Sequence, residues 1–163
     1  MNILVAVTSN WGIGCKNKLL FDIREDLQRF KEMTTGKVVV MGHNTLKSLP
    51  NGVALPNRVN IVLSRKTALT VPNAIVCNST EQLFKTLETY PPEDVFVIGG
   101  QDIYFQLLNN CTHAYVTKIE ATVDADTFFP NLDERNNWEI CEESDTRESN
   151  GVYYRFCTYK QRL

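Results

Sequence analysis

Residues 94–104 read Asp-Val-Phe-Val-Ile-Gly-Gly-Gln-Asp-Ile-Tyr. The apolar run at residues 94–98 is typical of a buried strand, it ends at Gly99-Gly100, and residues 101–109 have the spacing of a helix. Paired glycines let the backbone approach a ligand, and the start of a helix presents unpaired N–H groups to an anion. A tight turn without a ligand would use the same glycines, so this junction indicates a fold class and leaves function open.

The rest of the chain repeats this alternation of strands and helices. Further buried strands are predicted from the apolar runs at residues 2–8, 37–42, 58–64, 74–77 and 113–120. The other helices are predicted at residues 25–33 and 44–49 and from a capping box at residues 79–82.

Towards the end of the chain the pattern changes. Residues 138–142 and 152–159 alternate apolar and polar positions on either side of polar residues 144–151, which predicts an antiparallel hairpin. The prediction is an α/β fold in a single domain over residues 1–163. Its mixed, mainly parallel, twisted sheet has about eight strands, a C-terminal antiparallel hairpin and four flanking helices.

The composition of the 163-residue chain is ordinary, with 43% hydrophobic and 22% charged residues and a net charge of −2. This balance argues against electrostatic binding of nucleic acid or membranes. No apolar run approaches the roughly 18 residues of a membrane span, and residues 1–7 lack the length and the basic start of a signal peptide. We therefore expect no nucleic-acid partner, no membrane association and a cytoplasmic protein.

The five cysteines are scattered, odd in number and without CxxC spacing. This pattern argues against a disulfide framework or a zinc site, and the two histidines add no ligand cluster, so no metal is predicted. Cys77, Cys141 and Cys157 lie in apolar strand-like contexts and are predicted to be small core residues. Cys15 is predicted to lie in a loop.

Asp26 is the most informative single residue. It shares one stripe of the predicted helix with Phe30 and Met33, at i, i+4 and i+7. A carboxylate in an apolar cleft tends to have a raised pKa, which suits proton chemistry or binding of a cationic heterocycle. In the alternative interpretation Asp22 and Glu25 form a capping box, and Asp26 is an acid favoured by the helix dipole.

Other candidate residues lie where strands end. Residues 41–45 form a second strand-to-helix junction with glycine, although neither junction matches the G-x-G-x-x-G fingerprint. Arg58 could grip a carboxylate, Arg65 follows a strand at the edge where α/β sheets bind ligands, and Thr117 could bond a neighbouring carboxylate. Each also has a structural interpretation as a solvated charge or a β-branched strand residue. The connection at residues 9–24 is long enough to predict a functional loop, often a lid.

Together these residues resemble the dihydrofolate reductase family, bacterial chromosomal type, over essentially the whole chain. The marks of the family are Leu4-Val-Ala6, Gly12-Ile-Gly14, Asp26 with Leu27 and Phe30, Val40-Met-Gly42 with Thr45, Leu55-Pro-Asn-Arg58, Asn60-Ile-Val-Leu-Ser-Arg65, Val97-Ile-Gly-Gly100 with Tyr104, Thr117, and Asp126-Thr-Phe-Phe-Pro130.

The resemblance implies NADPH-dependent reduction of 7,8-dihydrofolate to 5,6,7,8-tetrahydrofolate by hydride transfer to C6 and protonation at N5. This reaction supports one-carbon metabolism and thymidylate, purine and amino-acid synthesis. Asp26 would be the single ionisable group in the pteridine pocket, with Thr117 bonded to it. Phe21 follows Leu20, where many bacterial members have Pro-Trp and the tryptophan helps to order a water. Asp26, Thr117 and Phe21 are therefore the predicted catalytic group.

The substrate would meet an apolar wall, and Arg58 would hold the α-carboxylate of its glutamate tail. The predicted substrate-binding residues are Leu4, Ala6, Leu27, Phe30, Leu49, Leu55, Arg58 and Ile98. The expected partners are dihydrofolate and antifolate-type small molecules, and the chain is expected to be a monomer. Residues 9–24 would be the mobile lid.

NADPH is the cofactor that the resemblance implies. Many members have arginine where this chain has His43, and some have a basic residue where it has Asp102. Arg65 is then the main candidate for contact with the 2′-phosphate. The predicted cofactor-binding residues are Ala6, Ile13, Gly14, Gly42, His43, Asn44, Thr45, Leu63, Ser64, Arg65, Ile98, Gly99, Gly100, Gln101, Asp102, Ile103 and Tyr104.

Two other functions are compatible with parts of this pattern. One is a related reductase of riboflavin biosynthesis on the same fold, but Asp26 and Arg58 in a single domain without a deaminase partner argue against it. The other is a non-catalytic dinucleotide-binding module, which the combination of Asp26, Thr117 and two glycine junctions disfavours.

Overall fold

A computed structural model of the protein describes residues 1–162, which form one mixed α/β domain. Leu163, which the sequence places in the same domain, lies outside the described residues. In chain order the strands are β1 (Asn2–Val7), β2 (Gly12–Cys15), β3 (Lys18–Leu19), β4 (Val38–Gly42), β5 (Val59–Leu63), β6 (Ala74–Cys77), β7 (Val95–Gly99), β8 (His113–Ile119), β9 (Thr127–Phe128), β10 (Trp138–Glu143), β11 (Arg147–Ser149) and β12 (Val152–Gln161). The helices are α1 (Arg24–Thr34), α2 (His43–Ser48), α3 (Thr80–Leu87) and α4 (Gln101–Leu107).

The large sheet has the strand order β10-β12-β8-β1-β7-β4-β5-β6, and β11 pairs with the first part of β12. The six strands from β8 to β6 are parallel, whereas β12 runs antiparallel to both β8 and β10. This arrangement confirms the predicted mainly parallel sheet of about eight strands with an antiparallel C-terminal hairpin and four helices.

The central strands are apolar on both faces because both faces are covered. Along β4, Val38 and Val40 pack into the larger core cluster, whereas Val39 and Met41 pack into a second cluster with Leu46 of α2. Successive strand side chains point to opposite faces, so a continuous apolar run can fill two cores at once. This double burial explains the uninterrupted runs in the sequence.

The connection at residues 9–24 is not structureless. Its strands β2 and β3 form a second, antiparallel sheet with β9. The Asp126 carboxylate accepts a hydrogen bond of 2.8 Å from the Lys16 N–H, and the Phe129 N–H donates to the Trp11 carbonyl. Residues 126–129 therefore hold both ends of β2.

Helix starts were predicted with mixed success. The Ser79 side chain accepts from the Gln82 N–H at the start of α3, which confirms that cap. The capping box at Asp22 is wrong, because the residue that precedes α1 is Ile23 and no side chain caps the helix. Asp22 is exposed outside the helix.

The cysteines differ in burial. Cys77 and Cys157 are buried as predicted, and all five cysteines are free thiols. The prediction for Cys141 is wrong: it is exposed on β10, an edge strand on which Trp138 is the only buried residue.

Within residues 1–162, no helix has both the length and the apolar character needed to cross a membrane.

Candidate active site

The two glycine junctions lie side by side at the carboxyl edge of the parallel sheet. Met41 of β4 is in register with Gly99 of β7, and α2 and α4 begin directly after these strands. Ligands of open α/β sheets bind at this edge. Leu63 of β5 is in register with Gly42, which places Ser64 and Arg65 next to the start of α2.

The Gly99–Gly100 junction is shaped for close backbone approach. Gly99 has φ +129°, a conformation that L side chains rarely adopt, and its peptide bond to Gly100 is cis. A Cβ on either glycine would lie 3.3 Å from the Thr45 hydroxyl oxygen. The helices that follow Gly42 and Gly100 have no side-chain cap, so their first N–H groups are open to a ligand. The junction thus fits a phosphate group held by backbone N–H groups and Thr45.

Asp26 and Thr117 are brought together by α1 and β8. The Thr117 hydroxyl donates a hydrogen bond of 2.5 Å to Asp26 Oδ1, and Thr117 is 1% exposed. Ala6 of β1 is the register partner of Thr117, so these three residues are neighbours. Burial raises the pKa of Asp26, while the Thr117 hydrogen bond and the Arg29 charge oppose that rise and Glu25 adds to it. A carboxyl group in this environment is able to hold a proton nearer neutral pH than an exposed aspartate.

The predicted substrate wall is divided between α1 and the second core cluster. Leu27 is 44% exposed and Phe30 is half-buried on α1. Leu49, Leu55 and Ile98 are partly buried against the cluster of Val39, Met41, Leu46 and Val62. These side chains leave apolar surface open, whereas Leu4 is buried in β1.

Arg58 is held beside the end of α1. Its Nε donates to the Thr34 hydroxyl at 3.1 Å, and its Nη1 donates to the Pro56 carbonyl at 2.8 Å. The Thr34 hydroxyl in turn donates to the Phe30 carbonyl at 2.8 Å. These contacts hold the guanidinium against the C-terminal end of α1, the helix that carries Asp26. The Arg58 side chain remains partly exposed.

Phe21 packs in an apolar cluster with Ile23, Ile119 and Tyr154, next to Ala6. Its ring has no hydrogen-bond donor, so it contributes apolar surface to this cluster and cannot bond a water as an indole N–H can. Ile13 and Gly14 are partly buried on β2, and Ile13 packs against the larger core.

The predicted cofactor residues on α4 differ in what they contact. The Tyr104 hydroxyl is buried and donates to the Leu4 carbonyl at 2.8 Å, and Ile103 packs where a Cβ on Gly42 would lie, at 3.1 Å. The Gln101 side chain accepts a hydrogen bond from the Phe128 N–H. Asp102, also in the first turn of α4, is charged and exposed. Tyr104 therefore joins α4 to β1 through its hydroxyl.

His43 and Arg65 provide the basic groups near the start of α2. Partial burial, followed by the nearby charges of Lys47 and Lys66, lowers the pKa of His43. His43 is therefore neutral at pH 7, whereas Arg65 is exposed and always charged. Asn44 is exposed in the first turn of α2.

Arg29 and Phe156 were missed by the sequence analysis. The Arg29 guanidinium carbon lies 4.2 Å from the centroid of the Phe156 ring, and the Arg29 charge acts on Asp26. The available signal was the i, i+3 spacing of Asp26 and Arg29, which places both side chains on one face of a helix.

In the part of the chain that the structure describes, no three His, Cys, Asp or Glu side chains gather as a metal site.

Comparisons with known proteins agree with this architecture. The family model for dihydrofolate reductase matches residues 1–161. The chain is 32% identical to the dihydrofolate reductase of Aedes albopictus over 98% of this chain and 96% of the relative, and 33% identical to that of Staphylococcus aureus over 96% and 94%. It is also 36% identical to the bifunctional dihydrofolate reductase-thymidylate synthase of Daucus carota, of which it spans 33%. The chain belongs to the dihydrofolate reductase family.

Proposed function

We propose that this chain reduces 7,8-dihydrofolate to 5,6,7,8-tetrahydrofolate and uses NADPH as the reductant. The observation that carries the proposal is the 2.5 Å hydrogen bond between Thr117 and a half-buried Asp26. A carboxyl group of raised pKa beside open apolar surface suits a flat heterocycle that must be gripped and protonated. The product would serve one-carbon metabolism.

The two glycine junctions would hold the cofactor. Gly99 and Gly100 leave room for a pyrophosphate beside Thr45, and Ile13, Gly14 and Ile98 would line the nicotinamide together with Ala6. When bound, NADPH supplies a hydride to C6 of the substrate. Gly42, Asn44, Leu63, Ser64, Ile103 and Tyr104 would complete the walls of the cofactor site.

Asp26 would bind the pterin ring by accepting hydrogen bonds from its N–H groups and would favour protonation at N5. Thr117 would orient the carboxyl group through the hydrogen bond that it donates. Phe21 would exclude bulk water from this end of the cleft, since its ring packs in an apolar cluster. These roles separate binding and proton supply from the hydride that the cofactor brings.

Substrate orientation would depend on apolar contacts and one charge. Leu27, Phe30, Leu49 and Leu55 would pack against the ring system, and Arg58 would pair with the glutamate α-carboxylate. Arg58 is already oriented by Thr34 and Pro56, so little side-chain freedom would be lost on binding. Antifolate-type molecules with a cationic ring would bind the same carboxylate, and a monomer would suffice because one chain supplies every residue.

The function is tested by the oxidation of NADPH in the presence of dihydrofolate, with the purified wild-type chain and the Asp26→Asn variant. We expect wild-type turnover and a loss of roughly 10²-fold or more in the variant near neutral pH, in the range of acid–base groups. Activity should recover in part as the pH falls, because solvent then supplies the proton. A folded wild-type chain that binds NADPH without turnover would instead indicate a dinucleotide-binding module.

A further inference from the structure

Helix α1 places two of its side chains on a cross-strand pair of the sheet. Thr117 of β8 is in register with Phe156 of β12, so the two side chains are neighbours on one face of the sheet. Asp26 contacts Thr117, and Arg29, three residues later on the helix, contacts Phe156. The acid and the guanidinium are therefore fixed on adjacent positions of the same surface.

Arg29 is held by an aromatic ring and not by an acid. Its guanidinium carbon lies 4.2 Å from the Phe156 ring centroid, within the range of a cation–π contact. Within residues 1–162 its Nη1 nitrogen is buried and has no hydrogen-bond partner. A guanidinium is always protonated, so this position carries a positive charge that no contact ion pair from residues 1–162 neutralises.

Arg147 provides a contrast on the same ring. Its guanidinium carbon lies 5.3 Å from the Phe156 centroid, but it is ion-paired with Glu25 and lies 3.5 Å from an Asp145 oxygen. Two acids therefore compensate its charge. Arg29 is the cation whose charge lowers the pKa of Asp26. In return, Asp26 stabilises the charged form of Arg29 more than any other acid does.

Other ionisable groups face this pair from every neighbouring element. They are Glu25 on α1, Tyr104 on α4, Tyr115 on β8, Glu142 on β10, Arg147 on β11 and Tyr154 on β12. Of the charged groups, Arg29 and Glu25 act on the Asp26 carboxyl, whereas Glu142 and Arg147 act on the Arg29 guanidinium.

We propose that Arg29 is a positioning residue that controls the ionisation of Asp26 through a fixed charge held on the Phe156 ring. The inference deepens the proposed function, because it assigns a regulator to the group proposed to supply protonation. Burial alone would keep the carboxyl protonated to higher pH. The Arg29 charge and the Thr117 hydrogen bond both oppose this effect of burial. Together they keep the carboxylate ionised and available for the hydrogen bonds that bind the pterin.

The experiment titrates Asp26 directly in the ligand-free chain labelled with ¹³C at aspartate carboxyl carbons. The Asp26 signal is identified by its disappearance in Asp26→Asn. The test variant is Arg29→Met, which keeps the packing on Phe156 and removes the charge, and Arg29→Gln serves if that variant does not fold. Arg29→Lys restores a charge, and Lys31→Gln makes the same charge change on the exposed face of α1.

We expect the Asp26 midpoint to rise by about 1 pH unit in Arg29→Met, at the lower end of the effect of a nearby opposite charge on a carboxyl group. Arg29→Lys should reverse most of that shift, and Lys31→Gln should leave the midpoint in place. An unchanged or lowered midpoint in both Arg29→Met and Arg29→Gln, or an equal shift in Lys31→Gln, would overturn the inference.

The pH profile of dihydrofolate turnover separates this inference from the proposed function. If Asp26 governs protonation, the pH at which the turnover rate falls should be higher in Arg29→Met than in the wild type. The increase should equal the shift of the Asp26 titration midpoint. A moved carboxyl titration with an unmoved rate profile would support the control of Asp26 by Arg29 and would contradict the catalytic role proposed for Asp26.

Discussion

The Thr117 hydroxyl donates a 2.5 Å hydrogen bond to Asp26 Oδ1, joining α1 to β8 across 91 residues of sequence. Thr117 is buried in β8, which lies between β1 and β12. A bond from such a rigid position restrains the carboxyl group before any substrate arrives.

Thr117→Val should remove this bond while preserving a β-branched strand residue. The ionised carboxylate then loses a partner, and we expect the variant to lose about 1–2 kcal/mol of unfolding free energy at pH 7. Because the hydrogen bond lowers the pKa of Asp26, the loss should shrink at acid pH, where the carboxyl is protonated. Urea unfolding at several pH values measures this, with Thr117→Ser as the control that keeps the donor. A loss that does not change with pH would show that packing, and not the carboxylate, dominates.

Asp26→Asn should stabilise the folded protein near neutral pH. The pKa of Asp26 is raised in the folded state by burial, so the folded protein binds this proton more tightly than the unfolded chain. The ionised carboxylate therefore costs stability above its folded-state pKa, and that cost disappears once the pH falls below its ordinary value of 3.8.

For a domain of this size we expect Asp26→Asn to raise the Tm by about 2–4 °C at pH 7, equivalent to about 1 kcal/mol. The gain should decline as the pH falls and be absent near pH 3. Thermal unfolding of both proteins across this range is the measurement. A variant that is less stable than the wild type at pH 7 would mean that the ionised carboxylate is a net stabilising group.

The two junction glycines allow backbone strain to be separated from ligand contact. A Cβ on either residue meets the Thr45 hydroxyl at 3.3 Å, but only Gly99 has a positive φ, +129°. We expect Gly99→Ala to lower the unfolding free energy by about 1–3 kcal/mol. Gly100→Ala should change stability less and should weaken NADPH binding, because its methyl group would occupy the space beside Thr45. Calorimetric NADPH binding and thermal unfolding of both variants distinguish the two effects. Unchanged NADPH affinity in both would make the junction an ordinary turn.

Arg65 should determine the preference for NADPH over NADH. The pKa of His43 is lowered and Asp102 is negative, so neither neutralises a 2′-phosphate at pH 7. Loss of a charge-assisted bond costs about 1.5–3 kcal/mol, which is roughly 10- to 150-fold in affinity. Arg65→Ala should weaken NADPH binding by that factor and leave NADH nearly unchanged. Fluorescence titration with both cofactors measures this, and Lys66→Ala is the matched control for loss of a neighbouring exposed cation. Equal losses for both cofactors would place Arg65 in the adenine contacts or the fold.

Sequence periodicity was sufficient for the parallel part of the large sheet, because β1, β4, β5, β7 and β8 have five to seven residues each and are largely buried. It was insufficient for the small sheet, in which β2 has four residues, two of them glycine, and β3 and β9 have two each. Such strands carry no period of their own and depend on partners that are distant in sequence. The hydrogen bond from Lys16 to Asp126, for example, spans 110 residues.

The same reasoning explains what was found and missed around the candidate site. Asp26 stood out because an acid interrupts an apolar stripe. Arg29 did not, since its contact with Phe156 depends on the register of β12 against β8 and not on any local pattern. The Asp22 cap failed because the residue in the N-cap position of α1 is Ile23, one residue later, although the Asp-x-x-Glu spacing is typical of a capping box.

The position of β1 at the middle of the sheet has a consequence for biosynthesis. Its residues pair with β7 on one side and β8 on the other, and Asn2 is in register with Phe96 and His113. At about 5–20 residues per second, a ribosome needs roughly 5–20 s to make the intervening chain. Until β7 emerges, the nascent polypeptide carries β1 without either of its neighbouring strands, and until β8 emerges β1 still lacks one of them. We therefore expect the growing chain to be a better substrate for chaperones than the finished protein, until synthesis has passed β8.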